Sequence, residues 1–206
     1  MRKLLKGAVF GIALLSTAVQ ADWIEESDRH AMAVMESLGK FQPEWMASYG
    51  LDAFDAGVMD LGAGSYERRQ QMRRDNIARL ESSLAEEKDV RVRQDLQIML
   101  EDQRDDIESA RLYRENLLPY YNVHQSLYSS FNSLLDPRND ESRYPAALER
   151  LAKYTGSAEG YQPLTEQARA RSEERFEVEG LLGPYTAELE TDLGKAPGFV
   201  AGIKSL

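Results

Sequence analysis

The chain has 206 residues, 42% of them hydrophobic and 29% charged, and contains no cysteine. That fits one packed domain and excludes disulfides, thiol catalysis and cysteine metal ligands. Acidic side chains outnumber basic ones 35 to 25, a net charge of −10, so nucleic acid, whose phosphates need clustered Lys and Arg on a positive face, is not an expected partner.

The opening residues MRKLLKGAVFGIALLSTAVQA join a basic start (Arg2, Lys3, Lys6) to an apolar run from Gly7 to about Ala18, with Val19 and Ala21 at the small-residue positions before a cleavage point. This is the pattern of a secretory signal, and the run is too short to span a bilayer comfortably. Residues 1–21 are therefore read as a leader and residues 22–206 as a helical domain. That remainder carries 22 basic against 35 acidic side chains, a net of −13. No later stretch is apolar enough for a membrane helix, and no cysteine is present for lipid attachment. A periplasmic or secreted product with no membrane span is expected.

From Trp23 to Leu38, Ile24, Ala31, Val34, Met35 and Leu38 fall near helical spacing, with Gly39 as the stop. A short helix follows, with Pro43 in its first turn, Trp45, Met46 and Tyr49 on its apolar face and Gly50 at its end. The stretch GLDAFDAGVMDLGAG, Gly50 to Gly64, then interrupts the helical pattern with Asp52, Asp55 and Asp60 among four glycines. Ser65 is placed as the cap of a long helix, with Met72, Ile77, Leu80 and Leu84 on one side and Arg68, Arg69, Arg73, Arg74 and Arg79 largely elsewhere. Glu86-Glu87-Lys88-Asp89 breaks the apolar stripe. It resumes as Val92, Leu96, Met99, Leu100, Ile107 and Ala110, giving a long helical hairpin. One unbroken coiled coil is the alternative, but a heptad repeat crosses Glu86–Asp89 only with a phase shift.

After Pro119, Tyr121, His124, Leu127, Tyr128, Phe131 and Leu134 recur every three or four positions up to Asp136-Pro137. Pro145 opens a helix through Leu148, Leu151 and Tyr154, closed by Gly156. Pro163 starts a charged helix through Ala168 and Phe176 to about Leu182. Gly183-Pro184 separates it from Tyr185–Leu193, and Pro197-Gly198 is expected to break the chain again before FVAGIKSL. No strand alternation, fixed-period repeat or low-complexity segment occurs. The expected fold is all-α, a multi-helix array of antiparallel helices. Because its last apolar helical pattern ends without a cap, it reads as an incomplete part of a larger helical fold.

No self-sufficient catalytic set is visible. Read as a calcium loop, Asp52–Ala63 has Asp52, Gly57 and Asp60 in place, but Phe54, Ala56 and Ala63 occupy ligand positions. The only histidines are His30 and His124, so a zinc pair one turn apart on a helix is missing. Glu26 and His30 read as a surface i, i+4 pair, and His124, among Tyr120, Tyr121, Tyr128 and Phe131, as a packing histidine. No G-x-S-x-G occurs. No catalytic, cofactor-binding or metal residue is assigned. Tyr49, Asp52, Asp55, Asp60, His124 and Tyr128 remain as candidates for lining a substrate cleft or meeting a partner, with helix connection the preferred reading of the Gly50–Gly64 aspartates.

The run Pro43-Glu44-Trp45-Met46-Ala47-Ser48-Tyr49-Gly50, then Phe54-Asp55, Met59-Asp60 and the arginine-rich helix from Tyr66, resembles the N-terminal part of the bacterial family called domain of unknown function 885. The stretches Asp95–Asp106, Leu118–Tyr121, Phe131–Leu135, Tyr144–Leu151 and Gln167–Arg175 follow in that family's order. The resemblance implies a largely helical, exported zinc-metallopeptidase-like protein whose C-terminal half carries a His-Glu-x-x-Pro-Gly-His type motif. No residue here matches those positions, so zinc is expected only in full-length relatives. The expected partners are a peptide substrate or the missing catalytic half. A stand-alone periplasmic helical binding or chaperone-like protein, using Trp45, Tyr49, Tyr120, Tyr121, Tyr128 and Phe131, is the alternative.

Overall fold

A computed structural model describes the backbone of residues 13–206 and the side chains of residues 23–206; the first twelve residues of the expected leader lie outside the described residues. In chain order the helices are α1 (Ala13–Gly39), α2 (Pro43–Ser48), α3 (Ser65–Glu86), α4 (Val90–Asn116), α5 (Val123–Leu134), α6 (Pro145–Thr155), α7 (Leu164–Glu173) and α8 (Thr186–Ser205), with short 3-10 turns at Asp52–Phe54 and Glu141–Arg143. The fold is all-α, without a strand among the described residues. A lone parallel bridge joins Leu117 to Leu182.

The hairpin of α3 and α4 forms as expected, and α1 completes a three-helix bundle around Leu80, Val92, Leu96 and Leu100, with Trp23, Val34 and Ile77 packed against them. Its turn is fixed by side chains. Asp89 accepts from the Arg91 amide at 2.9 Å and caps α4, while Arg93 donates to the carbonyls of Leu84 (2.6 Å) and Glu87 (2.9 Å) at the end of α3. A buried polar layer crosses the bundle. The Asn76 amide donates to Ser37 Oγ (2.8 Å) and Gln103 Oε1 (3.1 Å), linking all three helices.

A second core joins α5, α6 and α7 through Phe131, Leu134, Ala147, Tyr154, Leu164 and Ala168, with Leu61 reaching in from the connector before α3. Helix α8 lies along α5. Gly202 is required there, since a Cβ at that position would fall 2.5 Å from a ring carbon of Tyr128.

Several expectations shift. Ser65 is the first residue of α3 and is buried; Gly64, left-handed at φ 72°, holds the cap position and no side chain caps the end. On α2 it is Met46 and Ala47 that are buried, while Trp45 and Tyr49 are 51% and 60% exposed. On α6 the inward residues are Ala147, Arg150 and Tyr154, so Leu148 and Leu151 point outward. Helix α7 ends at Glu173 rather than near Leu182, because the following segment is tied to the end of α4: Leu182 donates to the Asn116 carbonyl (2.8 Å) and Leu118 to that of Leu182 (3.0 Å). The break at Pro197-Gly198 does not occur. Pro197 costs α8 one backbone hydrogen bond, and packing of Phe199, Gly202 and Ile203 on the α5 core carries the helix through it.

Candidate functional site

The aspartates of the Gly50–Gly64 connector have separate fates. Asp55 is buried and accepts two hydrogen bonds from Arg143, Nε at 2.7 Å and Nη2 at 2.6 Å; Nη2 also donates to the Ala47 carbonyl at 2.9 Å. Asp60 accepts from the Gly62 amide (2.9 Å) and from Arg68 (2.6 Å) on α3. Asp52 is exposed in its 3-10 turn. The connector is packed down as well as tethered, since a Cβ on Gly57 would lie 2.4 Å from Pro43 Cβ.

Behind Asp55 lies a buried polar network that joins the connector to α5 and α6. Arg150, 1% exposed, donates to Ser130 Oγ (2.9 Å) and to the Phe54 carbonyl (3.1 Å). The Tyr154 hydroxyl donates to Glu44 Oε1 (2.7 Å) and lies 3.0 Å from Ser130 Oγ, and the same Glu44 oxygen accepts from the Met59 amide (2.7 Å). Burial pulls the Arg150 guanidinium below its usual range, opposed by Tyr154, Glu44 and Asp55. Burial, reinforced by the Glu44 charge, pushes the Tyr154 phenol well above its usual range. Apart from the Arg150 Nε, which is buried without a partner, these groups pair with one another or with backbone carbonyls, the pattern of a network that ties elements together.

The remaining candidates are apart from it. Tyr49 stands exposed beside Trp45, ring centroids 5.9 Å apart, and Tyr128 packs against Phe199 of α8 at 5.5 Å. His124 is exposed, not packed as expected, and lines a cavity of about 410 Å³ with Tyr120, Leu189 and Leu193 between α5, α7 and α8. There Tyr120 donates to Asp192 at 2.9 Å, and partial burial together with that carboxylate pushes its phenol up to about 12. His30 does meet Glu26 at 3.3 Å, but the pair is no surface ornament: His30 is 8% exposed. Among the described residues no three His, Asp or Glu side chains converge as metal ligands would.

The most site-like cleft involves residues the sequence reading set aside. Between α3, α4 and α7 opens a cavity of about 390 Å³ into which Arg69, Arg73, Arg114, Arg171 and Arg175 project, with Tyr66, Tyr113 and Tyr121 as aromatic walls. Arg73 pairs with Asp106 (3.2 Å), Arg171 with Glu174 (2.6 Å), and Arg114 with Glu67 (3.2 Å) while covering the Tyr66 ring at 4.3 Å. Arg175 donates to the Arg114 carbonyl (2.8 Å). Among the described residues no carboxylate lies within salt-bridge distance of Arg69 or Arg175. Burial raises the Tyr121 phenol above its usual range, and the charges of Arg69 and Arg171 oppose that rise. A signal was present in the sequence: Arg69/Arg73 and Arg171/Arg175 are each spaced one helical turn apart. A wider groove of about 650 Å³ along the outside of the hairpin is less site-like, because its Glu81 is held by Arg104 at 2.6 Å and its Arg93 by backbone carbonyls.

No family model matches the chain, and neither a curated protein nor a solved structure is significantly similar to it.

Proposed function

We propose that this chain is a helical segment of an exported zinc-metallopeptidase-like protein, forming one wall of a substrate cleft and holding ligand without cleaving bonds itself. The observation that supports this reading is the arginine- and tyrosine-lined cleft between α3, α4 and α7. It offers charge and aromatic surface for binding, while a hydrolytic site needs a nucleophile or metal-bound water beside a base. His30 is buried against Glu26, and His124 lines the cavity between α5, α7 and α8, away from the arginines of the cleft's lining. The zinc and the general base of the peptidase belong, in this reading, to the C-terminal half that the resemblance implies. Peptide hydrolysis by the purified chain with added zinc is the test. No turnover is expected, and robust, chelator-sensitive turnover overturns the reading.

A second reading, a stand-alone periplasmic binding or chaperone-like protein, is favoured by the exposed Trp45–Tyr49 pair on α2. Suppression of client aggregation at low molar ratio, abolished by replacing both aromatics with serine, would decide for it.

A further inference from the structure

We propose that the cleft between α3, α4 and α7 binds the carboxylate of an organic acid with an apolar body, held between Arg69, Tyr121 and Arg171. This names the ligand class for the wall described above and rests on that reading for the peptide origin of the acid.

The three groups come from three different parts of the chain. Arg69 stands on α3, Tyr121 just before α5 and Arg171 on α7, and all three line the same cleft, where the charges of both guanidiniums oppose the rise that burial gives the phenol. Tyr121 keeps its proton at neutral pH and is a third donor beside two cations, a combination suited to a planar carboxylate. The charge balance points the same way. Five guanidiniums line the cleft against the carboxylates of Glu67, Asp106 and Glu174, in a chain whose net charge is −10. Each of those carboxylates is already paired with a cleft arginine, leaving Arg69 and Arg175 without an anionic partner among the described residues, and Arg175 is engaged by the Arg114 carbonyl. An anion from outside would complete the pairing of Arg69. Tyr66, Tyr113, Ala110 and Pro119 supply a wall for an apolar body. A cleft of about 390 Å³ falls at the small end of the range for small-molecule sites, the size of an amino-acid residue or dipeptide end rather than a large cofactor. Inorganic phosphate shares the charge but lacks that body.

The test is calorimetric titration of the full chain at low salt with three probes: N-acetyl-phenylalanine, its C-terminal amide and inorganic phosphate. The free acid is expected to bind at least about tenfold more tightly than either of the others, and Arg69→Gln to weaken it by about tenfold, as for loss of one charge-assisted hydrogen bond. Tyr121→Phe is expected to weaken it less. Arg138→Gln, at an arginine 89% exposed and paired with Asp136, is expected to leave binding unchanged. An unchanged melting temperature for Arg69→Gln shows that the variant is folded. Equal binding of acid and amide, phosphate binding as tight as the acid, an Arg69→Gln variant that binds like the parent, or no binding of any probe overturns the proposal. Peptide hydrolysis by the chain would overturn the proposed function and leave this acid selectivity standing, so the two fail separately.

Discussion

Arg143 grips Asp55 through two parallel hydrogen bonds across 88 positions of sequence, with the side chains only 14% and 5% exposed. The pair clips the Gly50–Gly64 connector to the turn that starts α6. Removing one partner of a buried pair strands the other charge. Asp55→Ala is therefore expected to destabilise the protein by about 3–5 kcal/mol. Asp60→Ala breaks a contact to Arg68, whose side chain is 47% exposed, and is expected to cost about 1 kcal/mol or less. Urea unfolding of the two variants measures the contrast. Equal losses would show that the connector is not held by Asp55. Adding Arg143→Met to Asp55→Ala is expected to recover part of the loss, because the stranded guanidinium is gone.

On α6 the prediction separates what looks apolar from what is buried. Leu148 is 74% exposed and Arg150 is 1% exposed. Leu148→Lys is expected to change stability by less than about 0.5 kcal/mol. Arg150→Met keeps much of the volume but leaves the Phe54 carbonyl and Ser130 without their donor in a dry core, an expected loss of about 2–4 kcal/mol. Thermal melts of the two variants give the answer. If the lysine were the more damaging change, the face of α6 would be misassigned.

Helix α6 also shows what was legible in the sequence. In the hairpin, where Leu80, Val92, Leu96 and Leu100 define a face, spacing locates both helices and their buried side; on α2 it locates the helix but not the face, since Trp45 and Tyr49 are exposed. Pro43 and Gly156 likewise punctuate the chain where expected. Spacing failed where polar groups do the packing. An arginine at the centre of a core reads as solvent-facing until the carbonyls that receive it are known, and those come from residues far away in sequence. The same limit hid the cleft. Arg69 and Arg171 are ordinary helix-surface arginines in one dimension, and only the approach of α7 to α3 gives them a common target. Pro197 failed for the opposite reason: a strong local breaker was outweighed by the contacts of α8 with α5.

Gln70 is 5% exposed, and neither its amide nitrogen nor its amide oxygen has a hydrogen-bond partner. Burying such a group without partners costs stability, whereas an apolar residue of similar shape avoids that cost. Gln70→Leu is expected to raise stability by about 1 kcal/mol, seen as a higher urea midpoint with an unchanged slope. A drop of similar size would mean that the amide is solvated in solution.

Alkaline pH is expected to weaken the fold before arginine titrates. Burial and the Asp192 carboxylate push Tyr120 from 10.0 up to about 12, and burial raises Tyr121 and Tyr154 as well. A phenol that holds its proton more tightly folded than unfolded contributes stability that is whole below the unfolded pKa and is lost as pH rises through the folded one. Unfolding free energy should therefore fall from pH 10 towards about 12. Tyr120→Phe is expected to shallow that fall. Chemical denaturation across this range checks it, and a parent curve that stays flat would contradict the burial of these phenols.

Acid exposes the hairpin turn in the opposite sense. Hydrogen bonds from the Arg91 side chain and amide hold Asp89 at about 2, below its ordinary 3.8. Its contribution is present above 3.8 and is lost as pH falls towards about 2, where the carboxyl takes up a proton and releases Arg91. Since Asp89 also caps α4, the loss should appear as fraying of the α4 start, read by amide hydrogen exchange at Arg91 and Val92. Asp136, held at about 2 by Arg138, adds to the same limb of the stability curve. Asp89→Asn preserves a capping oxygen and removes the titrating group. This variant is expected to start slightly less stable than the parent at neutral pH and to lose less between pH 4 and 2. Identical acid limbs for variant and parent would show that the turn is not held by this carboxylate.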